Sequence, residues 1–263
     1  MILCTLSGQG RGFSCPLRVV LPDKDTENED RLMRKRDMKK GSIAEAAAWI
    51  GENRHCYLML YWIFYLAAFF LLEMREGEYY LIECSLDKKI PFAEEFVIPY
   101  VSWFGLLAGA LFWSMFCCKK DFLRLAFVMF VGNTICLGIY FIAPNGIHLR
   151  PETVPDNLWG WMVGLLYQAD TSTNVCPSIH VSSSVAVALV GWRSELLKNR
   201  KTFRILLYIW VVLICLSTMF IKQHSIVDVI WGTVLSVCLF GILWRVEKFW
   251  APVKNLGVDF LLK

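Results

Sequence analysis

Apolar residues in this chain come in long runs that polar residues seldom interrupt. Six runs stand out, at approximately 56–72, 96–116, 122–143, 179–192, 203–221 and 225–244. A membrane-crossing helix needs about 20 mainly apolar residues, so each run suits a span. The first and fourth are short and need flanking residues to complete a crossing. The fourth is rich in Ser, Val and Ala, small side chains that favour close packing inside a bundle over contact with lipid. The pattern predicts an all-α fold, a polytopic membrane bundle of six transmembrane helices. It shows no internal repeat and nothing of a doubly wound soluble sheet.

The basic residues predict the orientation. The N-terminal arm is basic, ending in the run Arg31-Leu32-Met33-Arg34-Lys35-Arg36. The 73–95 connection is mainly acidic, with Lys88 and Lys89 as exceptions, and the next one holds Lys119, Lys120 and Arg124. The long 144–178 segment has Arg150 as its single cation. The following connection carries Arg193, Lys198, Arg200, Lys201 and Arg204, and the C-terminal end has Arg245, Lys248 and Lys254. Basic and non-basic connections alternate, which predicts that both termini are cytoplasmic. The expected organisation is a disordered basic cytoplasmic arm at 1–45, a six-span domain at 46–250 and a cytoplasmic tail at 251–263. Because the first 40 residues lack an uninterrupted apolar core, no cleaved targeting segment is expected, and Met33 or Met38 offers an alternative start.

Composition agrees with this pattern. Of 263 residues 56% are hydrophobic, and the mean hydropathy of +0.47 lies above the soluble range. The net charge of +4 is accounted for by the short connections, so no nucleic-acid partner is expected; the expected partners are membrane lipids and a lipid substrate. The ten cysteines follow no metal-ligand spacing, and Cys136, Cys215 and Cys238 fall within apolar runs, where cysteine acts as a small hydrophobe. Cys84 and Cys176 share the expected outer side, but sequence does not fix whether they pair.

The most informative stretch is Lys222-Gln223-His224-Ser225-Ile226-Val227-Asp228, which ends one apolar run and opens the next. If the chain is helical from Ser225 onward, His224 and Asp228 lie one turn apart on one face. A carboxylate there fixes the tautomer of an imidazole and stabilises its cation, as a nucleophilic or basic histidine requires. Asp228 is also the single charged residue between Ser225 and Trp244, and an ionisable group within a span points to function. The plainer reading is a polar helix end at the headgroups. The predicted topology brings Arg150, His180, Lys222, His224 and Asp228 to the same outer face, together with His148. Around His180 the sequence Cys176-Pro177-Ser178-Ile179-His180 has a proline at a helix start and a serine whose neighbouring N–H groups can meet an anion. Cations and N–H groups bind phosphate, and two histidines can divide the roles of nucleophile and general acid.

These residues resemble the type 2 phosphatidic acid phosphatase superfamily, whose motifs are KxxxxxxRP, PSGH and SRxxxxxHxxxD. Here the first runs from Ala143 to Arg150-Pro151, the second is Pro177-Ser178-Ile179-His180, and the third runs from Ser217-Thr218 through His224 to Asp228. The resemblance covers roughly 96–245. Ala143, Ile179 and Thr218 stand where the family has lysine, glycine and arginine, and Lys222 is the candidate to replace a missing cation. In these features the chain is similar to the branch that includes inositol phosphorylceramide synthases.

The resemblance implies an integral cell-membrane enzyme whose site faces the extracytoplasmic side and needs no metal or other cofactor. In that scheme His224 is the nucleophile, Asp228 orients it, and His180 is the general acid and then base. Arg150, Ser178 and Lys222 bind the substrate phosphate. The leading expectation is a lipid-phosphate phosphatase acting through a phosphohistidine. The alternatives are a lipid phosphotransferase, a zinc site on His180, His224 and Asp228, and a non-catalytic lipid-binding protein. His148 stays outside the catalytic set.

Overall fold

The computed structural model describes Glu45, Ala48, Trp49 and residues 51–255. The predicted 1–45 arm, apart from Glu45, the alternative starts and the end of the tail lie outside the described residues. The chain divides into two units at the Arg54–His55 peptide, and the architecture below is that of the second. Its helices are α1 (Tyr61–Glu73), α2 (Val97–Cys117), α3 (Lys119–Ile142), α4 (Leu158–Ala169), α5 (Ile179–Trp192), α6 (Lys201–Phe220) and α7 (Ile226–Asn255). A 3₁₀ segment, Arg54–Leu60, leads into α1. Two-residue strands β1 (Tyr80–Leu81) and β2 (Asn145–Gly146) pair in parallel and tie the loop after α1 to the loop after α3.

Five helical segments among the described residues are long and apolar enough to cross a membrane: Arg54–Glu73, Glu94–Cys117, Lys119–Ile142, Lys201–Phe220 and Ile226–Phe249. The fourth apolar run behaves differently. It forms α5, a helix of 14 residues, which at 1.5 Å per residue is about 21 Å long, shorter than a bilayer core of about 30 Å.

The short helix is the centre of the bundle. α5 makes its most extensive contacts with α7 and also packs on α3, α6 and α2. Its serines explain how. Ser182, Ser183 and Ser184 are all buried; Ser182 and Ser236 of α7 share a hydrogen bond of 2.8 Å, and the Ser236 hydroxyl donates to the Ser182 carbonyl at 2.6 Å. Small polar side chains let backbones approach and give interhelical hydrogen bonds where no water competes. Gly232 of α7 extends the close approach: a Cβ there would lie 2.6 Å from the Ser178 carbonyl oxygen. α1 is the most peripheral span, with its main helix contact on α3, where Tyr61 stacks on Phe130 at 4.4 Å.

The long 144–178 segment contains α4, a helix that the pattern of apolar runs does not announce. Asn157 caps it, accepting the Gly160 N–H at 2.8 Å, as short polar side chains do at helix starts. Its apolar face packs around Val163 with Val97, Tyr100 and Ile221. Cys84 and Cys176 are both free thiols.

Candidate active site

The α6–α7 turn presents His224. α6 ends in a Schellman-type cap: the N–H groups of Gln223 and Lys222 reach back to the carbonyls of Thr218 (2.9 Å) and Met219 (3.1 Å). The residue that takes the left-handed conformation is Lys222, at φ 55. Glycine usually occupies such a position, because a side chain there is sterically disfavoured. What holds Lys222 there is its ammonium, which donates to the carbonyls of Asp87 at 2.9 Å and Ile90 at 2.6 Å. Burial lowers the pKa of that ammonium, and Asp87 opposes the shift. Lys222 is therefore turned toward the 87–90 loop and is not among the residues lining the cavity described below.

α7 begins at Ile226, so His224 precedes the helix instead of riding its first turn. Asp228 still reaches it, with Oδ2 lying 3.4 Å from His224 Nδ1 and accepting the Ser225 N–H at 2.8 Å. The Ser225 hydroxyl in turn accepts the Val227 N–H at 3.1 Å. This reciprocal pattern resembles a capping box, so Asp228 both starts the helix and faces the imidazole. It is fully buried.

Asp87, which the sequence motifs do not include, completes the turn. Its carboxylate accepts the Ser225 hydroxyl at 2.7 Å, the Ile226 N–H at 2.9 Å and the Cys84 N–H at 2.7 Å. Burial alone raises its pKa, but the donors at Ile226, Cys84 and Ser225 outweigh burial and hold the carboxyl below its ordinary range.

His180 sits in the first turn of α5. Ser178 is the N-cap, its hydroxyl accepting the Val181 N–H at 3.3 Å while its own N–H donates to the Asp228 carbonyl at 3.2 Å. Asn145 shapes the approach, accepting the N–H groups of Val175 and Cys176 at 3.0 and 2.7 Å. The His180 ring lies between Tyr100 and Trp103 of α2, with centroids 4.6 and 4.3 Å away. Its Nδ1 is 3.4 Å from His224 Nε2. The chain thus brings His180, His224 and Asp228 together in one line.

Arg150 approaches from the other side. It donates to the backbone carbonyls of Asp170 at 2.9 Å and Thr171 at 2.6 Å and to the Gln223 side-chain oxygen, and its guanidinium stacks on Tyr167 at 4.5 Å. Gln223, next to His224, links the cation to the histidine pair. Asp170 accepts the Tyr100 hydroxyl and the Gln223 amide, each at 3.4 Å. Burial and the neighbouring Glu73 push its carboxyl up to about 6, against the opposing pull of His224 and Arg150. Asp170 lies outside the three motifs, and Gln223 fills a variable position of the third. His148 bonds instead to the Tyr79 hydroxyl at 2.6 Å.

A cavity of about 610 Å³ opens beside the two histidines. Its polar end holds His180, His224, Gln223 and Asp170, and from there it runs between α1 and α2 past Tyr100, Leu107 and Phe112. From Tyr100 to Phe112 a helix advances about 18 Å at 1.5 Å per residue, so the cleft follows much of a bilayer's depth. Among the described residues no group of three or more His, Cys, Asp or Glu is arranged to hold a metal ion.

Five long apolar helices and a histidine pair 3.4 Å apart define an integral membrane protein with a polar site among its spans. Residues 121–251 match the family model of the PAP2 superfamily, and the chain belongs to that superfamily. No curated protein and no solved structure matches the chain.

Proposed function

We propose that the protein cleaves a phosphate ester or diphosphate of a membrane lipid through a phosphohistidine. The observation that carries this reading is the alignment of Asp228, His224 and His180 at the polar end of an apolar cleft. Asp228 holds Nδ1 of His224, which leaves Nε2 as the nucleophile. Nε2 attacks phosphorus in line, the N–P bond forms as the P–O bond to the leaving group breaks, and His180 donates a proton to the departing oxygen. The neutral His180 then takes a proton from water, whose oxygen displaces His224 and releases the phosphate product. Arg150 supplies positive charge beside the site, and the α5 N-terminus adds N–H dipoles. Ser178 contributes as the cap that sets those N–H groups. Lys222 acts by fixing the turn that carries His224 and by adding charge behind it.

In this reading the lipid tail lies in the cleft between α1 and α2. α5 serves as a sixth, short crossing completed by its flanking residues. Both termini are cytoplasmic and the histidines face the extracytoplasmic side, in line with the alternation of basic connections. The catalytic domain spans 46–250, between a basic arm and a short tail. Purified protein in lipid nanodiscs, quenched during turnover of a labelled lipid phosphate, should carry acid-labile label on His224. Absence of such an adduct in wild type under rapid quench, with turnover intact, would overturn the mechanism.

One observation favours a second reading, transfer to an acceptor alcohol. The cleft is large and mostly apolar, and Ile179 lines it beside His180. A transferase must exclude water and seat a second lipid. A new phospholipid formed only when ceramide or diacylglycerol is added would establish transfer over hydrolysis.

A further inference from the structure

The charges around the histidine pair are unusual for a site that receives phosphate. Arg150 is joined to the site through Gln223, and its guanidinium is engaged by two loop carbonyls as well. Lys222 is committed to the carbonyls of Asp87 and Ile90. Ala143 and Thr218 bring no charge. Against these two cations stand four carboxylates. Asp228, in the first turn of α7, and Asp87, in the loop after α1, are both buried against the turn that carries His224. Asp170 lines the cavity. Glu73, at the end of α1, bonds to Thr171 beside it. A phosphate monoester arrives as a dianion near neutrality, and a carboxylate at the cavity wall repels it in a poorly solvated site.

Asp170 is the carboxylate that a ligand meets. It is held by Tyr100 and Gln223 at 3.4 Å each, long bonds that leave acceptor capacity on an ionised carboxylate. It shares the polar end of the cavity with His180 and His224. A donor on the ligand, placed near the phosphorus, would satisfy that capacity. A phosphodiester carries one negative charge and, in many lipids, such a donor on its head group.

We propose that Asp170 is a specificity-determining residue, selecting phosphodiester lipids whose head group offers a hydroxyl or ammonium donor over phosphate monoesters. This rests on the histidine-based reading above and names the substrate class of the same site. Asp170 acts by charge: it repels the second negative charge of a monoester and accepts the head-group donor of a diester. The Tyr100 hydroxyl and the Gln223 amide orient it.

The test compares kcat/KM of the full chain in nanodiscs for four lipids with matched tails. Phosphatidic acid is the monoester, phosphatidylethanolamine offers an ammonium, phosphatidylinositol offers hydroxyls, and phosphatidylmethanol is a diester with no donor. Wild type should favour phosphatidylethanolamine or phosphatidylinositol over both others, and which of the two leads identifies the donor. Asp170→Asn keeps the shape and removes the charge. It should shift the ratio toward phosphatidic acid by on the order of tenfold, the scale of one charge–charge interaction in a partly buried site, with the change mainly in KM. An unchanged ratio in Asp170→Asn, or a wild-type preference for phosphatidic acid, overturns the role of Asp170 while leaving the histidine mechanism standing. Turnover that persists in His224→Ala defeats the underlying mechanism instead. Lipids co-purified with His224→Ala and with His224→Ala/Asp170→Asn, weighed by native mass spectrometry, give the same ratio without turnover. Equal retention of monoester by the two proteins would also overturn the proposal.

Discussion

Asp87 and Ser225 are 138 residues apart in sequence, yet the Ser225 hydroxyl donates to the Asp87 carboxylate at 2.7 Å in the turn that carries His224. The same carboxylate accepts the first backbone N–H of α7, and its own carbonyl receives Lys222. The loop after α1 thereby sets the position of the nucleophile candidate. Asp87→Ala removes three acceptor contacts at once and should destabilise the protein by about 1–3 kcal/mol, with a larger relative loss in kcat than in KM. The sign of its pH dependence follows from a folded-state carboxyl held below the ordinary range. That stabilisation is complete above about pH 4, where an unfolded aspartate is ionised, and is lost as pH falls through the lowered folded value. Thermal unfolding in detergent between pH 7 and pH 3 should show wild type losing stability at the acid end and Asp87→Asn losing less.

The histidine pair gives the most direct kinetic test. His224→Ala should abolish turnover and leave membrane insertion intact, and His180→Ala should slow release of the leaving alcohol. Asp228→Asn should lower kcat by about 10²–10⁴-fold, as expected when a histidine loses the carboxylate that fixes its tautomer. The measurement is product formation in nanodiscs, paired with a thermal melt to show that each variant is folded. Full activity of Asp228→Asn would separate its capping role from any role in catalysis.

Asp170 titrates in an accessible range. Its carboxyl is pushed up to about 6 by burial and by Glu73, whereas the unfolded value is about 4. The folded state therefore holds the proton more tightly, and the penalty from this group grows as pH rises from about 4 to about 6 and is constant above that. Asp170→Asn should melt at a higher temperature than wild type at pH 7.5, with the gap closing toward pH 4. Parallel melting curves across that range would remove the assignment.

Orientation can be read by labelling cysteines placed in a background without exposed native thiols. Trp161 is 61% exposed on α4 and is a better site than Gly160, where a Cβ would lie 2.0 Å from the Pro155 carbonyl oxygen. A membrane-impermeant reagent applied to intact cells should label Trp161→Cys and spare Lys119→Cys and Lys198→Cys. The reverse pattern would place the histidines on the cytoplasmic side.

The cleft predicts tail dependence. Ala108 lines it in the middle of α2, so Ala108→Trp should obstruct a long acyl chain. The expected result is a loss of about tenfold or more in kcat/KM for a long-chain substrate, consistent with several methylenes displaced at about 0.8 kcal/mol each. A short-chain analogue should be turned over as by wild type.

The amino-acid sequence by itself determined the helices that the six apolar runs form, though not α4, and the order of the chemistry along them. Long apolar runs have one solution in lipid, because every backbone group must be hydrogen-bonded within the segment. The spacing of His224 and Asp228 is short enough for local geometry to hold them together, even though the helix starts one residue later than the pattern suggests. Tertiary structure decided what no local pattern encodes. Asp87 reaches Ser225 and Asp170 reaches Tyr100 only because distant loops fold over the ends of the spans. Tyr100 and Trp103 read as ordinary apolar-run residues until α2 packs beside α5 and puts them against His180. Lys222 shows the division most clearly. Its position beside His224 is a matter of sequence, but the direction of its ammonium depends on a left-handed turn and on carbonyls more than 130 residues away. Side-chain direction is set by which distant partner offers the hydrogen bond, and that is a property of the packed chain.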